Sequence, residues 1–275
     1  MFKDIKQVMK DSVLYGIGNV AVKLVGFILI PLYTDAEYFS TADYGLMGLL
    51  EVTSQILIAV MGLSLYSGLI RWYWDAEYRD KQKTIFFTTL LFTILTSLCI
   101  GSVLWLNVGE LSALLVQQEG YSLGGELPYI LQLLILTSML GAVVEVPQNL
   151  LRLQRKPIYY SLTNIVRLFV TLVLTIYFTI SLHRGVSGVY EAQLVGIVIQ
   201  LLMVLPLVIK NSSCRVDRRC TIQLLVYSYP LVFPAIVGSL LTVFDRYIIN
   251  HFQGLDDVGF YSLGYKVGNT LKVFI

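Results

Sequence analysis

Seven long runs of apolar residues alternate along the chain with short polar segments. A transmembrane helix needs about 20 mostly apolar residues, because each residue rises 1.5 Å through a hydrocarbon core about 30 Å thick. Within lipid only helices and closed barrels satisfy all backbone polar groups, and runs of this length are too long for barrel strands. The runs cover residues 12–34, 45–69, 85–107, 127–151, 158–182, 189–209 and 222–250. The pattern predicts an all-α, polytopic membrane protein with seven complete spans and a truncated eighth, which begins near residue 257 and stops at Ile275.

The positive charges between the runs fall almost entirely on alternate segments. These segments carry Lys3, Lys6 and Lys10, then Arg71, Arg79, Lys81 and Lys83, then Arg152, Arg155 and Lys156, and finally Lys210, Arg215, Arg218 and Arg219. The intervening segments carry only Arg184. Because short loops rich in Lys and Arg remain cytoplasmic, the distribution predicts a multi-pass protein of the cell inner (cytoplasmic) membrane with its N-terminus in the cytoplasm.

The composition excludes several other classes of protein. Hydrophobic residues make up 56% of the chain and charged residues only 14%, whereas a soluble domain carries about 25% charged residues. The net charge is only +2, and most basic residues lie in the loops between the apolar runs. No continuous basic face is therefore left for nucleic acid. No set of residues has the spacing of a catalytic or metal site, and we predict neither an enzyme nor a cofactor.

A short repeat occurs after the first and the seventh runs. Aligning Asp43 with Asp257 also aligns Gly45 with Gly259 and the neighbouring aromatic residues. Both copies open a helix on the outer side, where Asp favours the helix N-terminus. Two outer helix starts can look alike by chance, but a spacing of six helices favours a duplicated lobe with parallel topology. We therefore expect an N-terminal six-helix lobe at 1–210, a basic inter-lobe loop at 211–221 and the first helices of an incomplete second lobe at 222–275.

Several short motifs occur in an order that resembles a known family. They are Ile30-Pro31-Leu32-Tyr33-Thr34, Asp43-Tyr44-Gly45, Arg71-Trp72-Tyr73, Asn149-Leu150-Leu151-Arg152, Tyr159-Tyr160, Tyr229-Pro230-Leu231, Asp245-Arg246-Tyr247-Ile248-Ile249 and Val258-Gly259-Phe260-Tyr261-Ser262. In this order they resemble the flippases of oligosaccharide repeat units in bacterial polysaccharide synthesis. That family shares a superfamily with the multidrug and toxin extrusion (MATE) transporters and the lipid II flippases.

The resemblance implies a MATE-like fold and a transport function. Its expected substrate is a polyprenyl-pyrophosphate-linked oligosaccharide, moved across the lipid bilayer for lipopolysaccharide or exopolysaccharide synthesis, with the polysaccharide polymerase machinery as a further partner. The alternatives are a cation-coupled multidrug efflux transporter and an inactive, truncated remnant of a flippase. Members of the family usually have 12 to 14 helices, so the resemblance covers the whole chain but about half of such a protein.

Lys23 and Arg167 lie near the middle of predicted helices, where a charge costs about 2.5–3.5 kcal/mol on insertion scales. Lys23 shares a helical face with Asn19, and Arg167 shares one with Asn164. A cation that faces a cavity suits an anionic substrate such as a pyrophosphate, which a guanidinium binds through two hydrogen bonds. The alternatives are structural ion pairs with buried carboxylates, or snorkelling towards the interface.

Carboxylates inside the apolar runs are the candidate coupling groups. Glu51 shares a polar face with Gln55, and a carboxylate exposed to a cavity can titrate and couple transport to proton or sodium flow. A hydrogen-bonded packing role is the alternative for Glu51. Glu145 lies near the cytoplasmic end of its helix and is a candidate partner for Arg167.

The seventh run contains two prolines and two adjacent charges. Pro230 and Pro234 remove backbone donors and should bend the helix, either as a mobile element of the transport path or as a fixed kink. Asp245 and Arg246 point about 100° apart on a helix and should not pair with each other. We expect a structural role for both charges, with Arg246 near enough to the outer end to snorkel.

Overall fold

The computed structural model describes residues 28–115, 125–213 and 215–271, and the chain within these ranges is helical. After a short helical turn, Ile30–Tyr33, the helices are α1 (Thr41–Gly62), α2 (Leu65–Trp72), α3 (Gln82–Leu106), α4 (Val108–Leu115), α5 (Glu126–Leu153), α6 (Pro157–Ile176), α7 (Gly185–Asn211), α8 (Arg218–Phe252) and α9 (Leu255–Leu271). A 3₁₀ turn, Ala76–Lys81, leads into α3, and a π-helical turn, Tyr177–Ser181, extends α6.

Six helical segments within the described ranges are long and apolar enough to cross a membrane. They are Thr41–Gly62, Ala76–Leu106, Glu126–Leu153, Pro157–Ser181, Gly185–Asn211 and Arg218–Leu241. These segments match the second to seventh apolar runs and confirm the all-α membrane fold. The first run lies largely outside the described residues, so the number of seven complete spans stays a prediction.

The second apolar run forms two helices, where the sequence predicts one. Leu63 and Ser64, which separate α1 from α2, both adopt the left-handed backbone conformation, with φ of 44° and 50°. Neither is glycine, so this conformation has a steric cost that the surrounding packing must offset. The Ser64 hydroxyl donates to the Leu231 carbonyl of α8 at 3.3 Å. Hydrophobicity alone did not predict the break, because the apolar pattern continues across it.

Two clusters of buried apolar side chains hold the helices together. One cluster lies around the start of α1 and includes Leu46 of α1 and Tyr190 of α7. The other lies near the basic segments and includes Leu69 of α2 and Phe86 of α3. Lipid tails are as apolar as these side chains, so close van der Waals packing stabilises the helix contacts more than the hydrophobic effect does.

The first turn of α1 is held by a capping box. The Asp43 backbone N–H donates to Ser40 Oγ at 3.1 Å, and the Ser40 N–H donates to the Asp43 carboxylate at 2.9 Å. This arrangement satisfies two of the otherwise unpaired donors of a helix N-terminus. Asp43 thus supports the helix start as predicted, although the N-cap residue itself is Ser40. The aligned copy places Asp256 and Asp257 in the first turn of α9.

The helices α1 and α9 cross in close contact through the two glycines of the repeat. A Cβ atom on Gly45 would lie 1.9 Å from the Leu255 carbonyl oxygen, and one on Gly259 would lie 2.5 Å from the Thr41 carbonyl oxygen. Each glycine therefore meets the carbonyl of the residue four positions before the other glycine. A pseudo-twofold axis between two copies of a repeat would give this reciprocity, and the duplicated lobe stays a prediction.

At the end of the bundle that carries the basic segments, two ion pairs join the start of α8 to the 3₁₀ turn before α3. Lys81 Nζ lies 2.5 Å from Asp217 Oδ2, and Arg219 lies 3.1 Å from Glu77. Asp217 also caps α8, because its carboxylate accepts the backbone N–H of Arg219. The closest packing of α2 on α8 lies nearby, where a Cβ on Gly68 would be 2.8 Å from Ser228 Oγ.

The Lys81–Asp217 pair predicts a pH-dependent contribution to stability. The hydrogen bond from Lys81 holds the pKa of the Asp217 carboxyl below its ordinary range. A carboxyl whose pKa is lower in the folded than in the unfolded chain stabilises the fold above its ordinary pKa of about 3.9 and loses that contribution as the pH falls through the lowered value. Because the pair is exposed, we expect a small effect.

Thermal unfolding of Asp217→Asn, Lys81→Gln and the double variant between about pH 2 and 6 measures this effect. We expect Asp217→Asn to remove the whole pH-dependent contribution and Lys81→Gln to remove only the part that the pair supplies, because the backbone N–H groups of Arg219 and Cys220 also lower the pKa of the Asp217 carboxyl. Adding Lys81→Gln to Asp217→Asn should cause no further pH-dependent loss. Additive losses in the double variant would show that the two side chains act independently.

Candidate substrate site

The centre of the site is a polar contact between α6 and α7. Arg167 Nη1 donates to Gln200 Oε1 at 3.0 Å, and Gln200 Nε2 donates to Asn164 Oδ1 at 2.9 Å. Both residues lie within membrane-capable helical segments, Pro157–Ser181 and Gly185–Asn211. A guanidinium has five N–H donors, and among the described residues only Gln200 accepts from this one.

Close helix packing allows this polar contact. A Cβ on Gly196 of α7 would lie 2.1 Å from Thr171 Oγ1 and 3.2 Å from the Arg167 carbonyl oxygen. Small residues allow membrane helices to approach closely enough for polar side chains to bond across them. Gly196 therefore sets the distance at which Arg167 and Gln200 meet.

Glu145 on α5 does not pair with Arg167, a partnership that the sequence left open. Its charged neighbour is Arg152, and its Oε2 lies 3.9 Å from the position of a Cβ on Gly62. No described carboxylate forms an ion pair with Arg167, so the structural-pairing alternative finds no support within the described ranges. One turn later on α5, the Asn149 side chain donates to the Glu145 backbone carbonyl at 3.0 Å.

Glu51 lies on an accessible side of α1, as does Gln55 one turn later. The Glu51 carboxylate interacts electrostatically with the hydroxyls of Tyr44 and Tyr190 and with Lys266 of α9. It is therefore an accessible carboxylate whose electrostatic neighbours come from α1, α7 and α9. This environment is compatible with the predicted coupling role.

Lys266 and Arg246 add two cations to the interior. The Lys266 ammonium lies 5.4 Å from the Tyr33 ring centroid and 5.9 Å from that of Tyr44, within the range of cation–π attraction. Arg246 is 7% exposed, lies over the Tyr265 ring at 5.0 Å, and has no hydrogen-bond acceptor at Nε among the described residues. Its burial differs from the expected snorkelling towards the interface. The two cations are close enough to repel each other.

The structure holds Asp245 and both prolines within α8. Asp245 accepts a hydrogen bond from the Tyr261 hydroxyl and one from the Arg246 backbone N–H, and no described ion pair joins the two side chains. The helix continues through Pro230 and Pro234. The Leu231 carbonyl, which lies between the two prolines, accepts a hydrogen bond from the Ser64 hydroxyl. The proline segment of α8 therefore contacts the break between α1 and α2.

The predicted residues Lys23 and Asn19 lie outside the described residues. Among the others, the structure joins Arg167 to Asn164 through Gln200 and places Glu51 near Lys266. The sequence prediction missed Gln200, because it is an uncharged residue within an apolar run and the prediction there started from charged residues. It also left Lys266 out of the site, although a lysine inside an apolar run met the criterion that identified Arg167.

Solved structures of MATE transporters share this fold. The MATE multidrug transporter DinF-BH superposes with a TM-score of 0.78 at 14% identity, covering 98% of this chain and 61% of that one. A MOP superfamily transporter from Pyrococcus furiosus gives a TM-score of 0.69 at 16% identity, covering 98% and 61%. A mutant form of the Vibrio cholerae MATE transporter VcmN gives 0.67 at 16% identity, covering 95% and 60%.

The chain spans about 60% of the length of these structures. No curated protein matches its sequence significantly. A family model described as polysaccharide biosynthesis protein matches residues 8–275, which is nearly the whole chain. The chain therefore belongs to the polysaccharide biosynthesis protein family, with six membrane-capable helices in its described part and a MATE-like fold.

Proposed function

We propose that this chain forms part of a flippase that moves lipid-linked oligosaccharide repeat units across the cytoplasmic membrane. The observation that carries the proposal is the cationic interior of a protein from the polysaccharide biosynthesis family. Arg167 lies within a membrane-capable helix and donates to only one described residue, Gln200, and Arg246 and Lys266 add two cations between the helices. Cations inside an apolar bundle favour an anionic substrate.

The chemistry of these side chains fits a polyprenyl pyrophosphate. The planar guanidinium of Arg167 can form two parallel hydrogen bonds to one phosphate, with Gln200 orienting the fork. Lys23, expected on the first helix, would act as a point charge on the same group. Sugar and prenyl parts carry no charge, so the pyrophosphate is the part of the substrate that these cations select.

Cation-coupled drug efflux is the second candidate, favoured by the accessible Glu51 carboxylate and by structural neighbours that are multidrug transporters. An organic cation would, however, meet Arg167, Arg246 and Lys266. The Pyrococcus furiosus transporter is described as having a binding pocket of reverse polarity, which suggests a different function for that protein. The fold is thus compatible with substrates of either charge, and the cations in this chain favour the anionic one.

The mechanism that fits this architecture is alternating access between two lobes. The first lobe would comprise residues 1–210 and the second would begin at residue 222, within α8, with the basic loop 211–221 and the N-terminus in the cytoplasm. The two lobes would touch at the Gly45–Gly259 crossing and at the ion pairs of Lys81 and Arg219. Glu51, between the two lobes, would couple their movement to an ion gradient.

Polymer export by a family member that carries this chain as its N-terminal part tests the proposal. Lys23→Ala and Arg167→Ala should each reduce export at least tenfold, because each removes a charge that holds the pyrophosphate. Phe169→Leu is the matched control, since Phe169 is on the same helix as Arg167 and is 65% exposed. Normal export from both alanine variants, at normal expression, would refute the roles of the two cations.

A further inference from the structure

A cavity of about 630 Å³ opens where α1 and α9 begin. Its wall is formed by the segment 33–41, by Tyr44 and by the first turns of α9. The volume falls within the range of about 300–1,000 Å³ that is usual for small-molecule sites. Since residues 35–44 and 251–257 contain no Lys or Arg, the positive-inside rule places this outer cavity on the non-cytoplasmic side.

Aromatic rings and carboxylates share the wall of the outer cavity. Tyr38 and Phe260 contribute rings, and Phe260 is 67% exposed. Glu37 and Asp256 are exposed, and neither forms an ion pair with a described residue. Carboxylates accept hydrogen bonds from hydroxyl groups, and the apolar C–H face of a sugar ring packs on an aromatic face.

The charge of the lining separates this cavity from the cationic interior. No Lys or Arg is among its described lining residues, so a phosphate has no favourable partner there. Yet Tyr33 and Tyr44 line the cavity and also contact the Lys266 ammonium at 5.4 and 5.9 Å. The rings of Tyr33 and Tyr44 therefore adjoin both the cavity, which suits neutral hydroxyl groups, and the Lys266 ammonium, which suits a phosphate.

We propose that the outer cavity binds the neutral sugar units of the substrate, an inference that rests on the proposed function. In a lipid-linked oligosaccharide the first sugar is bonded directly to the pyrophosphate. The sugars lie against Tyr33 and Tyr44 after the pyrophosphate has moved from Arg167 to the side of Lys266, so the cavity binds the substrate at a later step than Arg167 does. Glu37 and Asp256 accept their hydroxyl protons in hydrogen bonds, and Tyr38 and Phe260 pack on the rings.

Saturation-transfer NMR with the chain in lipid nanodiscs tests the proposal. The probes are neutral disaccharides without lipid or phosphate: cellobiose, lactose and diacetylchitobiose. At least one should bind, and Glu37→Gln, Asp256→Asn and Phe260→Ala should each weaken that binding at least fivefold. Glu126→Gln is the control, because Glu126 is an exposed carboxylate at the start of α5 and does not line the cavity. Thermal unfolding identifies any variant that fails through misfolding, and Phe260→Tyr should retain binding.

Binding of sugar-free polyprenyl pyrophosphate to the same samples separates this inference from the proposed function. If the pyrophosphate lipid binds but no disaccharide does, or if the cavity variants bind disaccharides normally, the saccharide site is wrong while the flippase proposal stands. Binding of tetraphenylphosphonium in the cavity in place of sugars would also overturn it. If neither probe binds, both proposals fail.

Discussion

The Gly45→Ala substitution is expected to destabilise the bundle by about 1–3 kcal/mol and to separate α1 from α9, because overpacking forces the backbone apart. The added Cβ would lie 1.9 Å from the Leu255 carbonyl oxygen. That oxygen belongs to the backbone at the first residue of α9, so no side-chain rotation relieves the clash. Gly259→Ala should have a smaller effect in the same direction, since its Cβ would lie 2.5 Å from the Thr41 carbonyl oxygen.

Gly264→Ala provides the control for both substitutions. Gly264 is in α9, and a Cβ there would meet nothing within 4 Å among the described residues. Alanine has the higher helix propensity by about 1 kcal/mol, so this variant should be equal to the wild type or more stable. Thermal unfolding in detergent and cysteine cross-linking between α1 and α9 measure the two effects. If Gly45→Ala and Gly264→Ala unfold at the same temperature, α1 and α9 do not cross as described.

The Arg167→Ala substitution is expected to weaken binding of sugar-free polyprenyl pyrophosphate about 10- to 100-fold. A hydrogen bond to a charged group contributes about 1.5–3 kcal/mol, and each 1.4 kcal/mol changes an affinity tenfold. The affinity of Arg167→Lys should lie between those of the alanine variant and the wild type, because lysine keeps the charge but lacks the planar guanidinium. Gln200→Ala should cost less, since Gln200 orients the guanidinium and carries no charge.

Binding constants from native mass spectrometry in nanodiscs measure this series. Phe169→Leu on the exposed side of α6 is the control and should bind as the wild type does. An Arg167→Lys variant as weak as Arg167→Ala would mean that the planar geometry matters more than the charge. Wild-type affinity in Arg167→Ala would exclude Arg167 from the site.

Periodicity and charge predicted most of the fold, and the failures have physical causes. The apolar runs predicted the six described spans because lipid requires long uninterrupted helices. The break at Leu63–Ser64 escaped prediction, since neither residue is a glycine or a proline and the hydrophobicity continues through it. The repeat of Asp43 and Gly45 in Asp257 and Gly259 indicated related helix starts, but only the structure shows that Gly45 and Gly259 face each other.

The sequence identified some of the charged residues of the candidate site but not their partners. Arg167 and Glu51 were identified because a charge inside an apolar run is costly and needs a reason. Their partners depend on how neighbouring helices are rotated, which a single sequence does not specify. For that reason Gln200 rather than Glu145 meets Arg167, and Lys266 from the last described helix approaches Glu51.

The most direct test of the proposed flippase function is whether the interior binds an anionic ligand in preference to a cationic one. In the measurement, the wild-type chain in uncharged nanodiscs is titrated with polyprenyl pyrophosphate and, separately, with tetraphenylphosphonium, and each probe then competes with the other. The account predicts that the anionic lipid binds, that the organic cation binds at least tenfold more weakly, and that Arg167→Ala reduces this preference. Preferential binding of tetraphenylphosphonium, or a preference that Arg167→Ala leaves unchanged, would contradict it.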